Sequence, residues 1–139
     1  MSSDRERVTD TIIDLFIGTD QRDWPRVRQL FAGSVQFDMG QPSVMTPAQI
    51  TDMWDKGLRP IEKLHHQAGN FRVDVRGDEA DAFCYGIAYH YRKTKSGRNS
   101  RIFVGSYDFK LRRGFDAWKI HAFKFNLKFI DGNAELDKD

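Results

Sequence analysis

The sequence predicts an α+β fold in which N-terminal helices pack on one face of a strongly curved antiparallel sheet. Apolar residues recur at helical spacing in the first part of the chain, and from Leu64 onward they alternate with polar residues. Short polar turns separate the later alternating segments, which is the pattern of strands joined by hairpins. Helices that precede a run of strands are typical of α+β domains.

The first helix is marked by its cap. Ser3 and Glu6 have the spacing of a capping box, in which each side chain satisfies a free backbone N–H of the first turn. Four apolar residues follow at helical spacing, namely Val8, Ile12, Leu15 and Phe16. Gly18 is predicted to end this helix.

A second, short helix is predicted to begin at Asp23, where Pro25 is tolerated in the first turn, and to end at Gly33. Its apolar side would consist of Val27, Leu30 and Phe31. Residues 35–39 then alternate between apolar and polar, which indicates a half-buried strand.

Thr46 begins a third helix as its cap, with Pro47 at the first position and Gln49 at the third. Gly57 and Pro60 are predicted to end this helix. Its buried face would be formed by Ile50, Met53 and Trp54. The remaining strands are predicted from the alternation around residues 71–75, 80–92, 101–111 and 117–129.

Length and composition favour a single domain over residues 1–139, with frayed ends at residues 1–2 and 133–139. The 22 basic and 20 acidic residues give a net charge of +2 without a basic block, which argues against nucleic acid as a partner. Cys84 is the single cysteine, so an internal disulfide is excluded and a buried thiol is expected. With neither a signal-peptide pattern nor a membrane-spanning apolar run, we expect a cytoplasmic protein without a membrane partner.

Asp20, His66 and His90 are the candidate catalytic residues. A carboxylate and two imidazoles that converge in one pocket could transfer protons near neutral pH. Asp20 could instead brace the turn after the first helix, and His90 could be a hydrogen-bonded wall residue. Since adjacent strand residues face opposite sides, only one of His65 and His66 can face inward, and we favour His66. His121 is interpreted as structural or interfacial.

Other kinds of site have less support in the sequence. Two histidines and an aspartate could bind a metal, but none of the short ligand spacings is present. There is no Gly-rich phosphate loop, so no nucleotide cofactor is expected. The basic cluster Arg92-Lys93…Lys95…Arg98…Arg101 is interpreted as a solvated hairpin tip, with an anion-binding patch as the alternative.

Five segments resemble, in order and spacing, the SnoaL-like and scytalone dehydratase-like group of the nuclear transport factor 2-like superfamily. They are Asp-Gln-Arg-Asp-Trp…Leu-Phe-Ala, His-His-Gln-Ala-Gly-Asn, a Gly-Asp turn, Tyr-Gly-Ile-Ala-Tyr-His and Gly-Ser-Tyr-Asp-Phe…Ala-Trp-Lys-Ile. The resemblance covers residues 5–132. It implies a cone-shaped fold in which a bent sheet encloses an apolar cavity beneath the long helix.

The strand residues around His90 are compatible with a cavity. If His90 faces inward, the period of a strand puts Cys84, Gly86 and Ala88 on the same face, where small side chains would leave room. Gly105 and Tyr107 could do the same on the neighbouring strand.

Similarity to scytalone dehydratase implies that His66 and His90 are the two catalytic histidines and that Asp20 is the acidic residue paired with them. An imidazole would remove a proton next to a carbonyl, and the site would return a proton to the departing hydroxyl. Asp20 would hold the imidazole tautomer and favour its charged form. The resemblance further implies no cofactor, no metal and a small hydrophobic molecule as the partner.

The sequence also departs from the dehydratase pattern. Thr19 and Met39 stand where that enzyme has two tyrosines, and Tyr107 replaces a polar amide residue. The substrate is therefore expected to differ from that of scytalone dehydratase, and Tyr107 could supply a replacement hydroxyl. We expect a substrate-binding wall formed by Tyr107, Trp54, Met39 and Phe123.

The leading hypothesis is a cofactor-independent dehydratase, or an isomerase or cyclase using the same groups, that acts on a small apolar oxygenated ring compound. The alternative is a non-catalytic ligand-binding or assembly module of the same fold, which the missing tyrosines favour. A small subunit of a ring-hydroxylating oxygenase ranks third, because the chain is short for that role. Regularly spaced Tyr, Phe and Val residues on the outer sheet face predict self-association. The resemblance implies that the assembly is a homodimer or a homotrimer.

Overall fold

The computed structural model describes residues 2–139 and confirms the α+β fold, with helices packed on one face of a curved sheet. Within these residues three α-helices and six strands are formed. The helices are α1 (Asp4–Asp20), α2 (Trp24–Gln29) and α3 (Pro47–Leu58). The strands are β1 (Phe31–Asp38), β2 (Pro42–Met45), β3 (Lys63–Arg76), β4 (Glu79–Tyr91), β5 (Ser100–Arg113) and β6 (Trp118–Gly132).

The sheet has the strand order β2-β1-β6-β5-β4-β3 and does not close into a barrel. The meander from β3 to β6 is antiparallel, as predicted, but β1 and β6 run parallel, so the prediction of a fully antiparallel sheet is wrong at this pair. Hairpin turns define only sequential partners, whereas β1 joins the sheet beside the last strand. Register shifts in the β3–β4 and β5–β6 pairs are the β-bulges expected of a bent sheet.

Helix α1 has the predicted capping box, in which the hydroxyl of Ser3 accepts a hydrogen bond from the backbone N–H of Glu6. The prediction that Gly18 ends this helix is wrong, since α1 continues to Asp20. A Cβ atom at position 18 would lie 2.9 Å from Cγ2 of Val27, so the glycine allows α2 to approach closely. The continued helix places Asp20 beside His66 of β3.

The second helix is shorter than predicted, because Phe31 and Gly33 belong to β1. Phe31 pairs with Ile120 of β6, and the backbone N–H of Ile120 donates to the carbonyl of Leu30. The spacing of Val27, Leu30 and Phe31 fits the last turn of a helix, but the sheet edge captures the third of these residues. Strand β2, which pairs with β1, was not predicted.

The C-terminal segment is packed rather than frayed, contrary to the prediction for residues 133–139. Leu136 is fully buried and Asn133 is nearly so. The guanidinium of Arg92 donates to the carbonyls of Leu136 at 2.9 Å and Asp139 at 2.7 Å. One buried leucine among polar residues produces no periodic pattern, so the sequence does not reveal this anchoring.

The core lies between α1 and the sheet face that it covers, here called the inner face. Cys84 is fully buried there, as predicted, and burial raises the pKa of its thiol to about 12. No helix within residues 2–139 has the length and apolar character needed to cross a membrane.

Candidate active site

An apolar cavity of about 350 Å³ lies between α1, α3 and the inner face of strands β3 to β6. The two candidate histidines, His66 and His90, contribute to its wall. The predicted substrate-binding residues also line it, namely Tyr107, Trp54, Met39 and Phe123. Sequence and structure therefore bring the six predicted cavity residues to one place, while Asp20 lies immediately behind His66.

Asp20 and His66 form a close pair. Oδ1 of Asp20 lies 2.6 Å from Nδ1 of His66, and Oδ2 accepts a hydrogen bond of 3.0 Å from the backbone N–H of His66. The side chains are 13% (His66) and 21% (Asp20) exposed, so the contact is shielded without being sealed. Because the carboxylate only accepts, Nδ1 carries the proton in the neutral form of His66, and Nε2 of that form presents a lone pair to the cavity.

Local structure explains why this pair forms. Asp20 is the last residue of α1, and His66 lies on β3, the strand on which α1 mainly packs. Phe16, one turn before Asp20, stacks on the imidazole of His66 at a ring distance of 5.6 Å. His65 points to the opposite face, where its ring contacts Tyr89, so the choice of His66 as the inward residue is correct.

His66 and His90 are diagonal neighbours on the sheet. In the β3–β4 ladder His66 pairs with Ala88, two residues from His90, so both imidazoles share the inner face. Such diagonal neighbours lie about 7–8 Å apart. A small molecule in the cavity can therefore contact both rings at once.

His90 is held in a different state from His66. It is 7% exposed, and Nε of Arg101 donates a hydrogen bond of 3.2 Å to its Nδ1 atom. Burial, followed by the nearby positive charge of Arg101, lowers the pKa of His90 from 6.5 to about 4. The negative charge of Asp20 acts in the opposite direction and is outweighed. His90 is thus a neutral imidazole at physiological pH.

Arg101 does not belong to a solvated hairpin tip, contrary to the prediction for the basic cluster. The side chain is only 11% exposed and lies directly opposite His90 in the β4–β5 ladder. Its Nη1 atom contacts Oδ1 of Asp137 at 3.0 Å and the carbonyl of Ala134 at 3.3 Å. Arg101 and His90 lie on two predicted neighbouring strands, but the sequence does not determine the turn geometry that sets which residues pair across them.

The hydroxyls of the cavity differ in availability. Thr19 donates its hydroxyl to the carbonyl of Leu15 at 2.7 Å, within α1. The hydroxyl of Tyr107 has no hydrogen-bond partner among residues 2–139, although the residue is buried and burial raises the pKa of its phenol. Tyr107 therefore offers the free hydroxyl that Thr19 and Met39 do not.

The small residues on the inner face do not create the cavity as predicted. A Cβ atom at Gly86 would lie 2.2 Å from the ring of Tyr107, and one at Gly105 would lie 2.2 Å from the carbonyl of Asn126. Cys84 is fully buried in the core. Of the small residues Cys84, Gly86, Ala88 and Gly105, Ala88 alone lines the cavity. The ring of Tyr107 packs directly on Gly86.

A larger groove of about 900 Å³ crosses the outer face of the sheet near Phe83, Asp108 and Lys124. These residues pair with one another in register on the face opposite the histidines. Neither candidate histidine contributes to this groove, so the smaller cavity is the candidate site. Tyr85 and Tyr89 are exposed on the outer face, and self-association through it stays a prediction.

Within residues 2–139 no group of three or more His, Cys, Asp or Glu side chains is arranged to hold a metal ion. His121, expected to be structural or interfacial, lies on β6 with its Nε2 atom 3.4 Å from a carboxylate oxygen of Glu79. It takes no part in the cavity.

Comparison with known proteins places this geometry in a family. The model of the SnoaL-like domain matches residues 1–124. Comparison with curated protein sequences found no significant match.

Solved structures share the whole architecture. The protein Kfla4162 from Kribbella flavida is 18% identical with a TM-score of 0.91, over 98% of this chain and 97% of its own. A provisionally named aromatic ring hydroxylase from Novosphingobium aromaticivorans is 25% identical with a TM-score of 0.80, over 97% and 96%. A provisionally named scytalone dehydratase from the same species is 14% identical with a TM-score of 0.82, over 92% and 86%.

Proposed function

The chain belongs to the SnoaL-like domain family, within the nuclear transport factor 2-like fold, and from this premise we propose a cofactor-independent acid–base enzyme. Its reaction would be the elimination of water from a small, apolar, oxygenated ring compound. The observation that carries the proposal is the contact between Asp20 and His66 at the wall of an apolar cavity. Isomerisation or cyclisation would use the same groups.

The proposed reaction begins at His66. Its Nε2 lone pair takes a proton from the carbon next to a carbonyl, while the carboxylate of Asp20 stabilises the imidazolium that forms. The carbon–carbon double bond then forms as the bond to the neighbouring hydroxyl breaks. The imidazolium returns its proton to the departing oxygen, so that one water leaves and His66 is regenerated. No electron acceptor is needed.

The cavity supports a neutral, apolar substrate. Among the described residues its wall includes no Lys, Arg, Asp or Glu side chain. Aromatic rings dominate, with Phe37 stacked on Phe123 at 5.0 Å just behind the wall. A volume of about 350 Å³ is near the lower end of the range for ligand sites and suits one or two fused rings.

A non-catalytic ligand-binding module is the second candidate. It is favoured by the cavity positions of Thr19, whose hydroxyl is used within α1, and of Met39, which carries no exchangeable proton. In this case the same cavity would hold the same class of molecule without turnover.

A panel of cyclic β-hydroxyketones, beginning with 3-hydroxycyclohexanone and extending to two-ring members, tests the two candidates. Water elimination gives a conjugated enone that is followed by its ultraviolet absorbance. We expect the wild type to form enone and His66→Gln to fall by ~10²–10⁴-fold, because the general base is lost. His65→Gln is the matched control, since His65 faces the outer surface against Tyr89.

Binding measured by NMR separates the outcomes. Full enone formation by His66→Gln would refute the assigned base. Saturable binding of these ketones without enone from any member would refute the enzyme and favour the binding module.

Replacing Tyr107 with phenylalanine is expected to lower kcat about tenfold while leaving the unfolding free energy nearly unchanged. A hydrogen bond to substrate contributes about 1–1.5 kcal/mol, and the lost hydroxyl leaves no protein group unsatisfied within residues 2–139. The ring contact with Phe16, at 5.0 Å, is retained. Steady-state kinetics beside urea unfolding provide the measurement, with exposed Tyr85→Phe as the control. Unchanged turnover would remove Tyr107 from the mechanism.

A further inference from the structure

The two imidazoles of the cavity present opposite hydrogen-bonding polarity to a ligand. Nδ1 of His66 donates to the carboxylate of Asp20, which leaves Nε2 of the neutral ring as an acceptor. Nδ1 of His90 instead accepts from Nε of Arg101, and an arginine cannot accept in return. A neutral His90 therefore carries its proton on Nε2. Neither Nε2 atom has a hydrogen-bond partner among residues 2–139, and neither is sealed from the cavity.

The side chain of Arg101 is held in place by residues of the C-terminal segment. Its Nη1 atom is bonded to Asp137 and to the carbonyl of Ala134, both in the C-terminal segment. Its guanidinium also lies 5.2 Å from the ring centre of Phe103, which flanks His90. The segment is anchored in turn by the buried Leu136 and by Arg92. Three contacts thus hold the guanidinium that donates to His90, and two of them are made by the C-terminal segment.

The charges around His90 oppose its protonation on balance. The groups that act on it are Arg101 from β5, His66 from β3, Asp20 from the end of α1 and Arg22 from the turn that follows α1. Only Asp20 favours the imidazolium, and its carboxylate is already engaged by His66. A neutral imidazole in such a site is a hydrogen-bond donor to an oxygen that gains negative charge, a role that needs no proton transfer.

We propose that Arg101, anchored by residues 134–137, is a positioning residue that fixes His90 as the neutral Nε2–H tautomer, so that His90 donates a hydrogen bond to a substrate oxygen. On the proposed function, that oxygen is the carbonyl that becomes negative when His66 removes the neighbouring proton. The base and the donor are then two imidazoles with fixed and different duties. The C-terminal segment becomes part of the site.

Long-range ¹H–¹⁵N NMR of the histidine rings tests this assignment without any substrate, because Nδ1 and Nε2 shifts distinguish the tautomers. The His90 signals are identified by their loss in His90→Gln. We expect an Nε2–H tautomer for His90 in the wild type from pH 6 to 8. Arg101→Met removes the donor but keeps the side-chain volume, and we expect mixed tautomers or protonation within this pH range.

Rescue separates positioning from a merely structural role. Arg101→Lys keeps a positively charged donor, and we expect it to restore the single tautomer, whereas a purely structural ion pair with Asp137 would leave His90 unchanged in every variant. An unchanged His90 tautomer and titration in a folded Arg101→Met would overturn the proposal. Should Arg101→Met fail to fold, Asp137→Asn, which loosens the anchor, is measured in its place, and the same unchanged result overturns the proposal.

Steady-state kinetics provide a second test of the positioning role of Arg101. If the enone assay is positive, we expect Arg101→Met to lower kcat by about 10- to 100-fold with little change in KM, as is typical when a partner that orients a functional histidine is removed. If no panel member turns over while the tautomer depends on Arg101, the proposed function fails and the positioning role stands. An unchanged kcat in Arg101→Met would refute a contribution of the Arg101–His90 contact to catalysis.

Discussion

Asp20→Asn is expected to lower kcat by ~10²–10⁴-fold while the protein stays folded. Both carboxylate oxygens of Asp20 accept hydrogen bonds from His66, one from the ring at 2.6 Å and one from the backbone at 3.0 Å. An asparagine has one accepting oxygen and one donating NH₂ group. If its oxygen satisfies the backbone N–H, its NH₂ faces Nδ1 and forces the proton of His66 to Nε2. The base is then blocked by the wrong tautomer.

Enone formation from the best panel substrate measures this loss, with Asp52→Asn as the matched control because Asp52 is exposed on α3. The expected pattern is a large fall in kcat with little change in KM, since the cavity wall is untouched. Wild-type kcat in Asp20→Asn would show that the carboxylate only braces the end of α1. A parallel fall in the control would point to a general effect of charge.

The sequence predicted those parts of the site in which the alternation of residues along a strand determines the face to which a side chain points. Strand alternation showed that only one of His65 and His66 can face inward, and the resemblance selected His66 and paired it with His90. The position of Asp20 was predicted only from the resemblance, because the sequence pattern alone ended the first helix at Gly18. The close approach of Val27 to Gly18 is a tertiary contact, and no residue spacing reports it.

Features that depend on distant partners were not predicted. Arg101 looked like one basic residue in an exposed cluster, and its burial depends on Asp137 folding back over it. Phe31 fits a helix by spacing, but its pairing with Ile120 makes it a strand residue. Gly86 looked like empty space, whereas the ring of Tyr107 fills it. In each case, the deciding neighbour lies more than twenty residues away in the chain.

Because His90 is neutral in the folded protein, we expect the free energy of unfolding to decrease as the pH falls. In the unfolded chain its pKa is about 6.5, and in the folded protein burial and the charge of Arg101 lower the pKa to about 4. Between these values the unfolded state binds the additional proton, so stability falls as the pH falls. Above pH 6.5 both states are neutral and the contribution is constant, and below pH 4 both are protonated and the full penalty remains.

The unfolding free energy of the wild type is therefore expected to drop by about 3 kcal/mol more than that of His90→Gln between pH 7 and pH 4, since each pKa unit is worth ~1.4 kcal/mol. A glutamine can still accept the hydrogen bond from Arg101 but cannot titrate, so carboxyl titrations common to both proteins cancel in the difference. Urea unfolding at half-unit pH steps gives this difference directly. Parallel curves for the two proteins would mean that His90 titrates at its ordinary pKa in the folded state, and the neutral donor beside Arg101 would then be wrong.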